Sequence, residues 1–518
     1  MSLLKNFATV GGATATSRVL GFIRDMFIAA ALGAGPVAEA FFVAQKLPNL
    51  FRRLFAEGAF ASAFVPLFAK AVESEGQEAA RQFGEEALAV LAAALLVVTL
   101  VAEIAMVWLT YALAPGFAAD PSKFDLTVLF SRIAFPYLAL ISLTSLLSGA
   151  LNGLNRFAAA AFAPSLLNAV LIAALIYVYL TGERGSFTAG VLLTAAITVG
   201  GVVQLLFLML ACRRAGLTLR LRPPKLTAGV KRLLALSGPA VIAGGIVQIN
   251  ILVGTIIASA VPGAVSWLYY ADRLYQLPLG IVGIAIGTVL LPDLARSLRG
   301  GRDDVAAHSQ NRAIEFAAAL TLPAAVALFV IPFPIIAVLF QRGAFTAADT
   351  AATAPALAAY AVGLPAFVAI KVFQPGYFAR EDTSTPMRYG GVSMVVNVAA
   401  AFALFPFFAQ VGIAAATSLA AWVNTFLLVY TLARRGHFKA DAVLRRRLPL
   451  LGLAAVLMGV GVLAASWLAA PLLVEANLIV RVAALAALVA FGLALFGALC
   501  LVTGAVDMTI LWNRLRRR

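Results

Sequence analysis

The stretch ALAVLAAALLVVTLVA, residues 87–102, contains no charged side chain and is one of many apolar runs along the chain. A membrane-spanning α-helix needs about 20 mostly apolar residues, because each residue adds about 1.5 Å across a hydrocarbon core about 30 Å thick. Runs of this kind recur over nearly the whole sequence, and the hydrophilic stretches between them are too short for a soluble domain. The pattern predicts an all-α, polytopic membrane protein.

The amino-acid composition supports this class. Of the 518 residues, 62% are hydrophobic and 12% are charged, whereas a soluble domain is about half apolar and a quarter charged. The net charge of +16 fits lysine and arginine concentrated in cytoplasmic loops better than nucleic-acid binding. Cys212 and Cys500 are the only cysteines, so no disulfide framework is expected. No signal-peptide cleavage pattern follows the first apolar segment, which is therefore predicted to be a retained helix.

Hydrophobicity predicts fourteen spans. Several are longer than a bilayer is thick, so they are expected to tilt, bend or project. They cover residues 6–33, 36–70, 84–112, 125–152, 157–180, 187–212, 233–260, 264–295, 312–341, 351–379, 386–406, 411–433, 448–470 and 478–511.

The loops after spans six, eight and twelve, and the tail at 514–518, are rich in lysine and arginine. Because positive loops remain in the cytoplasm, both termini are predicted to be cytoplasmic. The opposite loops offer little beyond Lys123, Arg184 and Arg342.

A weak internal duplication divides the chain. Pro136 and Asn168 recur as Pro365 and Asn397, 229 residues later in both cases. The spacing predicts two parallel six-helix lobes, a common plan for transporters. The predicted divisions are residues 1–222 for the N-lobe, 223–440 for the C-lobe, and 441–518 for two extra helices with a basic tail.

The first span carries charges that hydrocarbon would penalise by roughly 3 kcal/mol each. Arg18 and Asp25 share one helical face with Gly21, and Arg24 lies about 100° round from Asp25. These arginines either line a wet cavity for phosphate oxygens or pair with Asp25 to hold helices together. Arginine suits the binding of phosphate oxygens, because its planar guanidinium is permanently charged and carries several N–H donors.

The second span also carries charged residues, among them Glu39, Lys46, Arg52, Arg53 and Glu57. Arg53 and Glu57 are four residues apart, so a salt bridge on one face is as plausible as a ligand role. Arg52 has no such local partner and is the stronger candidate for binding an anion. Glu39 lies near the outer end of its span, where it is either an interfacial charge or part of a gate.

Two further groups of polar residues lie in the later spans. Arg273, in span eight, is predicted to supply a cation from the second lobe, with pairing to Asp272 as the alternative. Asn250, Asn397 and Thr417 are weak candidates for a small-cation site, because hard cations take oxygen ligands. Such residues more often hydrogen-bond between helices.

Catalysis has little support in the sequence. His308 and His437 lie in predicted cytoplasmic loops, and no nucleophile motif, metal-ligand cluster or phosphate-binding glycine loop is found. The carboxylates are interleaved with arginines, which favour their ionised form. The chain is predicted not to be an enzyme and to need no cofactor, with dependence on membrane potential or a cation left open.

Five segments together resemble the MurJ (MviN) lipid II flippases, within the multidrug/oligosaccharidyl-lipid/polysaccharide exporter superfamily. The segments are SRVLGFIRD at 17–25, AFFVA at 40–44, KLPNLFRRLFAEGAF at 46–60, YADRL at 270–274 and PGYFAR at 375–380. The resemblance implies that lipid II crosses from the inner to the outer leaflet of the bacterial cytoplasmic membrane, by alternating access, for peptidoglycan synthesis. It also implies contact with membrane lipids and peptidoglycan-synthesis proteins, and a prenyl-tail groove beside spans thirteen and fourteen.

The resemblance also assigns site residues. The important arginines of the family match Arg18, Arg24, Arg52 and Arg273, and Ser17 and Asp25 match as well. Glu39 stands where relatives commonly have aspartate, so the same charge has a longer reach. Ala401 stands where some relatives have an aspartate typical of a sodium site, which weakens the expectation of a cation site here.

Three alternatives stay open at this point. One is a flippase or exporter for another lipid-linked oligosaccharide or a drug, although a drug exporter would not need an arginine excess. Another is a membrane enzyme acting on prenyl-phosphate sugars. The third is a scaffold that recruits wall-synthesis proteins.

Overall fold

The computed structural model describes residues 3–53, 60–474 and 477–505, without the side chains of residues 3–8, 60–62, 239–247, 249–251, 281, 284–285 and 287–289. These residues are almost entirely helical and include no strand, so the predicted all-α class is confirmed. Nine helices or helix pairs in the described ranges are long and apolar enough to cross a membrane. The chain separates into two compact units, residues 1–266 with 342–345, and residues 267–341 with 346–518.

The first unit contains ten α-helices and the start of an eleventh. They are α1 (Leu3–Leu32), α2 (Pro36–Phe51), α3 (Phe60–Ser74), α4 (Gln77–Ile104), α5 (Met106–Leu113), α6 (Pro121–Ala134), α7 (Tyr137–Gly153), α8 (Phe157–Thr181), α9 (Phe187–Arg214) and α10 (Ala228–Ala258), with a 3-10 turn at Pro115–Ala119. Helix α1 packs along α8, and α2 packs along α6. These two pairings position the charged faces of the first two spans.

The second unit contains most of α11 and seven further helices. They are α11 (Ala264–Arg299), α12 (Asp303–Val330), α13 (Pro332–Phe340), α14 (Ala347–Phe378), α15 (Ser384–Arg434), α16 (Ala442–Leu468), α17 (Ala470–Val474) and α18 (Leu478–Thr503). Helices α12 and α14 pack against each other, as do α16 and α18. Large apolar side chains such as Trp467, 74% exposed, remain on the outside, as lipid-facing surfaces require.

Several predicted spans, each a single apolar run in the sequence, are broken in the structure. Span two is α2 followed by α3, and the predicted partner Glu57 lies outside the described residues. Span four is interrupted at Pro136, which lacks the N–H that a continuous helix would use. Spans three and nine are also two helices each, and span fourteen ends at Thr503 before a left-handed Gly504. Short breaks do not change average hydrophobicity, so a hydrophobicity profile does not detect them.

Spans eleven and twelve form a helical hairpin. The single non-helical residue within α15 is Ala409, at φ 46° and ψ −127°. The Ser393 hydroxyl donates to the Ala420 carbonyl at 2.8 Å, across a sequence separation that a straight helix would hold far apart. At the turn, Phe407 is 80% exposed, while the Gln410 amide donates to the Ala352 carbonyl of α14 at 3.0 Å.

The opposite end of this hairpin is held by Asp382, in the turn between α14 and α15. The Thr385 backbone N–H donates to the carboxylate at 3.0 Å, and Arg435 approaches within 2.7 Å. These contacts, the Thr385 N–H first, hold the pKa of Asp382 well below its usual range.

The two structural units divide between residues 266 and 267, whereas the duplication placed the lobe boundary at 222/223. Helix α10 packs against α3, α4 and α5 and is therefore grouped with the first unit. Units defined by packing and lobes defined by duplication are different divisions, so the lobes stay a prediction.

The extended segment 217–227, which joins α9 to α10, is attached to α4 through the fully buried Glu85. Its carboxylate accepts from the Arg220 backbone N–H at 3.1 Å and lies 2.6 Å from Arg222 Nε. On its own helix, Arg81 approaches Glu85 within 3.0 Å. A buried carboxylate with this many donors is strongly stabilised, so Glu85 fastens the linker.

Replacing Glu85 by glutamine is expected to release this linker. Hydrogen bonds to a charged group contribute about 1.5–3 kcal/mol each, so trypsin should cleave after Arg220 several-fold faster in the purified variant. Glu78→Gln is the matched control, because Glu78 is exposed and its ion pair is with Arg81. Equal cleavage rates in the Glu85 variant and the wild type would show that this contact does not hold the segment.

Candidate functional site

The guanidinium of Arg24 is held on two sides. Its Nε and Nη2 donate to Asp25 Oδ1 at 3.1 and 2.7 Å, and its Nη1 donates to Asn168 Oδ1 at 2.8 Å. Asp25 is buried, and the Arg24 side chain is 17% exposed. Arg24 therefore pairs with Asp25 within α1, while the link to another helix is made by the neutral amide of Asn168.

Asn168 is the residue that sequence reasoning missed. It is 6% exposed in α8, and its Nδ2 donates to the Ser17 carbonyl at 3.0 Å. A Cβ added to Gly21 would lie 3.7 Å from the same nitrogen, so a small residue at 21 permits this approach. A polar residue in the apolar run 157–180 was the available signal, but the duplication used Asn168 only as a marker of the repeat.

The other α1 candidates have different surroundings. Ser17 is half-buried, and its carbonyl is the group that contacts Asn168. Arg18 is exposed, which keeps its guanidinium on the accessible side of α1. The structure thus brings Ser17, Arg24 and Asp25 together around Asn168, with Arg18 next to them on the same helix.

Arg52 and Arg53 follow the end of α2. Arg52 is half-buried, and its Nε donates to Asn49 Oδ1 at 3.2 Å, so it has a local partner that the sequence did not indicate. Arg53 is exposed. Nearby, Lys46 hydrogen-bonds to Thr255 and so ties α2 to α10.

Glu39 is buried, not placed at an exposed interface. It is 1% exposed and forms an ion pair with Lys123 at the start of α6. Its other oxygen accepts from the Val265 backbone N–H at 3.2 Å. Lys123, which the sequence placed with the exposed loops, is 6% exposed and lies 3.7 Å from the Phe117 ring centroid. The pair thus connects α2, the start of α6 and the start of α11 within the first unit, which is a structural role.

In the second unit, Arg273 lies over the ring of Tyr269, with its guanidinium carbon 4.6 Å from the ring centroid. This is cation–π geometry. Asp272 accepts a hydrogen bond from Gln276. Tyr275 stacks on Tyr360 with ring centroids 4.9 Å apart, which places an aromatic wall on the same helix.

The predicted small-cation site stays a prediction, because the structure does not describe the side chains of all three candidates. The Thr417 hydroxyl donates to the Ile413 carbonyl of its own helix, and Asn397 is 7% exposed. The Asn250 side chain lies outside the described part of the structure, and Ala401 is buried. No group of three or more histidine, cysteine or acidic residues suited to a metal occurs in residues 3–53, 60–474 and 477–505.

Charged residues in the interior of apolar helical spans are typical of membrane transporters, and solved structures identify the fold. One described as "Lipid II flippase MurJ, inward closed conformation" matches 97% of this chain and 99% of its own, at a TM-score of 0.79 and 22% identity. An inward-facing multidrug resistance MATE family transporter of the MOP superfamily matches 81% of this chain and 95% of its own, at 0.64 and 16%. The expected exporter fold is therefore confirmed.

Sequence comparison shows the family. A family model described as "Lipid II flippase MurJ" matches residues 28–483. The chain is 52% identical to a probable lipid II flippase MurJ of Rhizobium meliloti over 100% of this chain and 97% of the relative. It is 36% identical to the lipid II flippase MurJ of Burkholderia cenocepacia, over 89% of each. The chain belongs to the lipid II flippase MurJ family.

Proposed function

We propose that this protein moves lipid II, the undecaprenyl-pyrophosphate-linked peptidoglycan precursor, from the inner to the outer leaflet by alternating access. The observation that carries the proposal is the orientation of Arg24 by Asp25 and Asn168 within an apolar span. A cation kept there at a cost of several kcal/mol needs a use, and a pyrophosphate supplies the complementary charge. Family membership supplies the particular substrate.

The arginines replace water around the pyrophosphate. Arg24 offers a planar fork of donors, and Asp25 keeps its charge partly balanced while no substrate is bound. Arg18 and Arg52 add donors from the same unit, and Arg273 is the fourth cation in this proposal. Because the pyrophosphate then pairs with arginine and not with water, a polar head group can cross while the prenyl chain stays in lipid.

We also propose the setting of this activity. Both termini lie in the cytoplasm and the protein lies in the bacterial cytoplasmic membrane; the lysine- and arginine-rich loops support this orientation. Transport, not formation of a new covalent product, is the activity, with membrane lipids and peptidoglycan-synthesis proteins as partners. Dependence on membrane potential or on a cation stays part of the proposal, and the liposome experiment tests the membrane potential.

The test is reconstitution of the purified protein in liposomes containing fluorescent lipid II, with and without an imposed membrane potential. The expected result is that lipid II of the inner leaflet becomes accessible from outside the vesicles faster than in protein-free vesicles. The lipid II should be recovered chemically unchanged. Transport of a different lipid-linked oligosaccharide in preference to lipid II would replace the substrate assignment. Recovery of a covalently altered lipid would indicate an enzyme, and no movement of any lipid would favour a scaffold.

A further inference from the structure

Asn168 occupies a position where an apolar residue would be expected. It lies inside α8, in a run whose neighbours are mostly alanine, leucine and isoleucine. Burying an amide without partners costs about 1–3 kcal/mol. We therefore expect both the oxygen and the nitrogen of this side chain to be hydrogen-bonded. Both are: Oδ1 accepts from Arg24 at 2.8 Å, and Nδ2 donates to the Ser17 carbonyl at 3.0 Å.

The two contacts lie along one face of α1. Ser17 and Gly21 are one turn apart, and Arg24 follows on the next turn. A Cβ at position 21 would lie 3.7 Å from Nδ2, an ordinary van der Waals contact, so a side chain larger than alanine would crowd the amide. The amide is thus fixed by the Ser17 carbonyl, and its oxygen is aimed at the guanidinium.

The choice of an amide over a carboxylate matters for charge. Asp25 already provides one carboxylate at 2.7 Å from Arg24. A second carboxylate at 168 would place two negative groups around one guanidinium and repel an incoming anion. A neutral acceptor orients the guanidinium and leaves its charge available to a ligand.

We infer that Asn168 is the positioning residue of the anion-binding site, setting the direction of the Arg24 guanidinium without neutralising it. The inference rests on the proposed function, because the anion is the pyrophosphate of the lipid substrate. Asn168 acts through Arg24 and not by contact with the substrate.

The experiment measures binding of undecaprenyl pyrophosphate to the full-length protein in detergent, together with the thermal midpoint. Asn168→Asp keeps the shape of the side chain and should weaken binding about tenfold, or about 1.4 kcal/mol. Asn168→Ala should weaken it several-fold. In both variants, the loss of binding should be larger than the change in the thermal midpoint explains.

A second background separates positioning from simple support of α1. Lysine is a point charge with freely rotating donors and gains nothing from a fixed orientation. In an Arg24→Lys protein, Asn168→Ala should therefore cause no further loss of binding. An equal loss in both backgrounds would show that Asn168 only holds α1 in place and would overturn the inference.

The same measurements distinguish the two proposals. If the wild-type protein binds neither undecaprenyl pyrophosphate nor lipid II, the proposed function fails. If the wild type binds and Asn168→Asp binds equally well, the function stands and the role of Asn168 is wrong.

Discussion

Replacing Arg24 by alanine is expected to reduce lipid II transport in proteoliposomes about 100-fold. Truncating one member of a buried, hydrogen-bonded charge pair costs about 2–5 kcal/mol, and about 2.7 kcal/mol already corresponds to 100-fold. The loss has two sources. The pyrophosphate loses a cation with a fork of donors, and Asp25, 3% exposed, keeps a negative charge that repels the substrate.

Two further variants are needed to interpret the Arg24→Ala result. Arg24→Lys keeps the charge without the planar fork and should retain an intermediate rate. Arg184→Ala is the matched control, because Arg184 is exposed and stacks on Tyr179, with its guanidinium carbon 4.2 Å from the ring centroid. Transport by the Arg24→Ala protein at the control rate, with equal protein in the vesicles, would contradict a cationic binding site.

Replacing Glu39 by alanine is expected to destabilise the protein by about 3–5 kcal/mol, because Lys123 is left charged and buried without its partner. The Val265 N–H also loses its acceptor. The measurement is the free energy of unfolding in detergent, or the thermal midpoint where unfolding is irreversible. Lys123→Ala should cause a loss of similar size.

The double variant Glu39→Leu, Lys123→Met tests whether the unpaired buried charge causes the loss of stability. Removing both charges with apolar residues of similar size is often neutral, so this protein should recover most of the lost stability. If the double variant loses as much free energy of unfolding as the two single variants together, the two residues act independently. A transport defect in a double variant of normal stability would assign Glu39 a role in gating.

Sequence reasoning is strong for the helices and weaker for the contacts between them. Each apolar run became helical because, in lipid, every backbone group must be satisfied within its own segment. The hairpin at Ala409 falls between predicted spans eleven and twelve. Charged residues could also be singled out, since their cost in hydrocarbon does not depend on the fold.

The partners of those charges depend on packing and could not be predicted. Asn168 is 144 residues from Arg24, and Lys123 is 84 residues from Glu39. Only the pairing of α1 with α8 and of α2 with α6 brings them together. Local spacing also indicated no partner for Arg52, which contacts Asn49, three residues before it.

The hairpin of α15 bears on how the chain enters the bilayer. Its turn has a single non-helical residue, so the two arms can be inserted as one unit, without carrying a hydrophilic loop across the hydrocarbon. The exposed Phe407 can partition into the interface, and the Gln410 amide donates to the Ala352 carbonyl of α14. Helix α14 should therefore be in the membrane first, which gives this part of the chain a preferred order of assembly during synthesis.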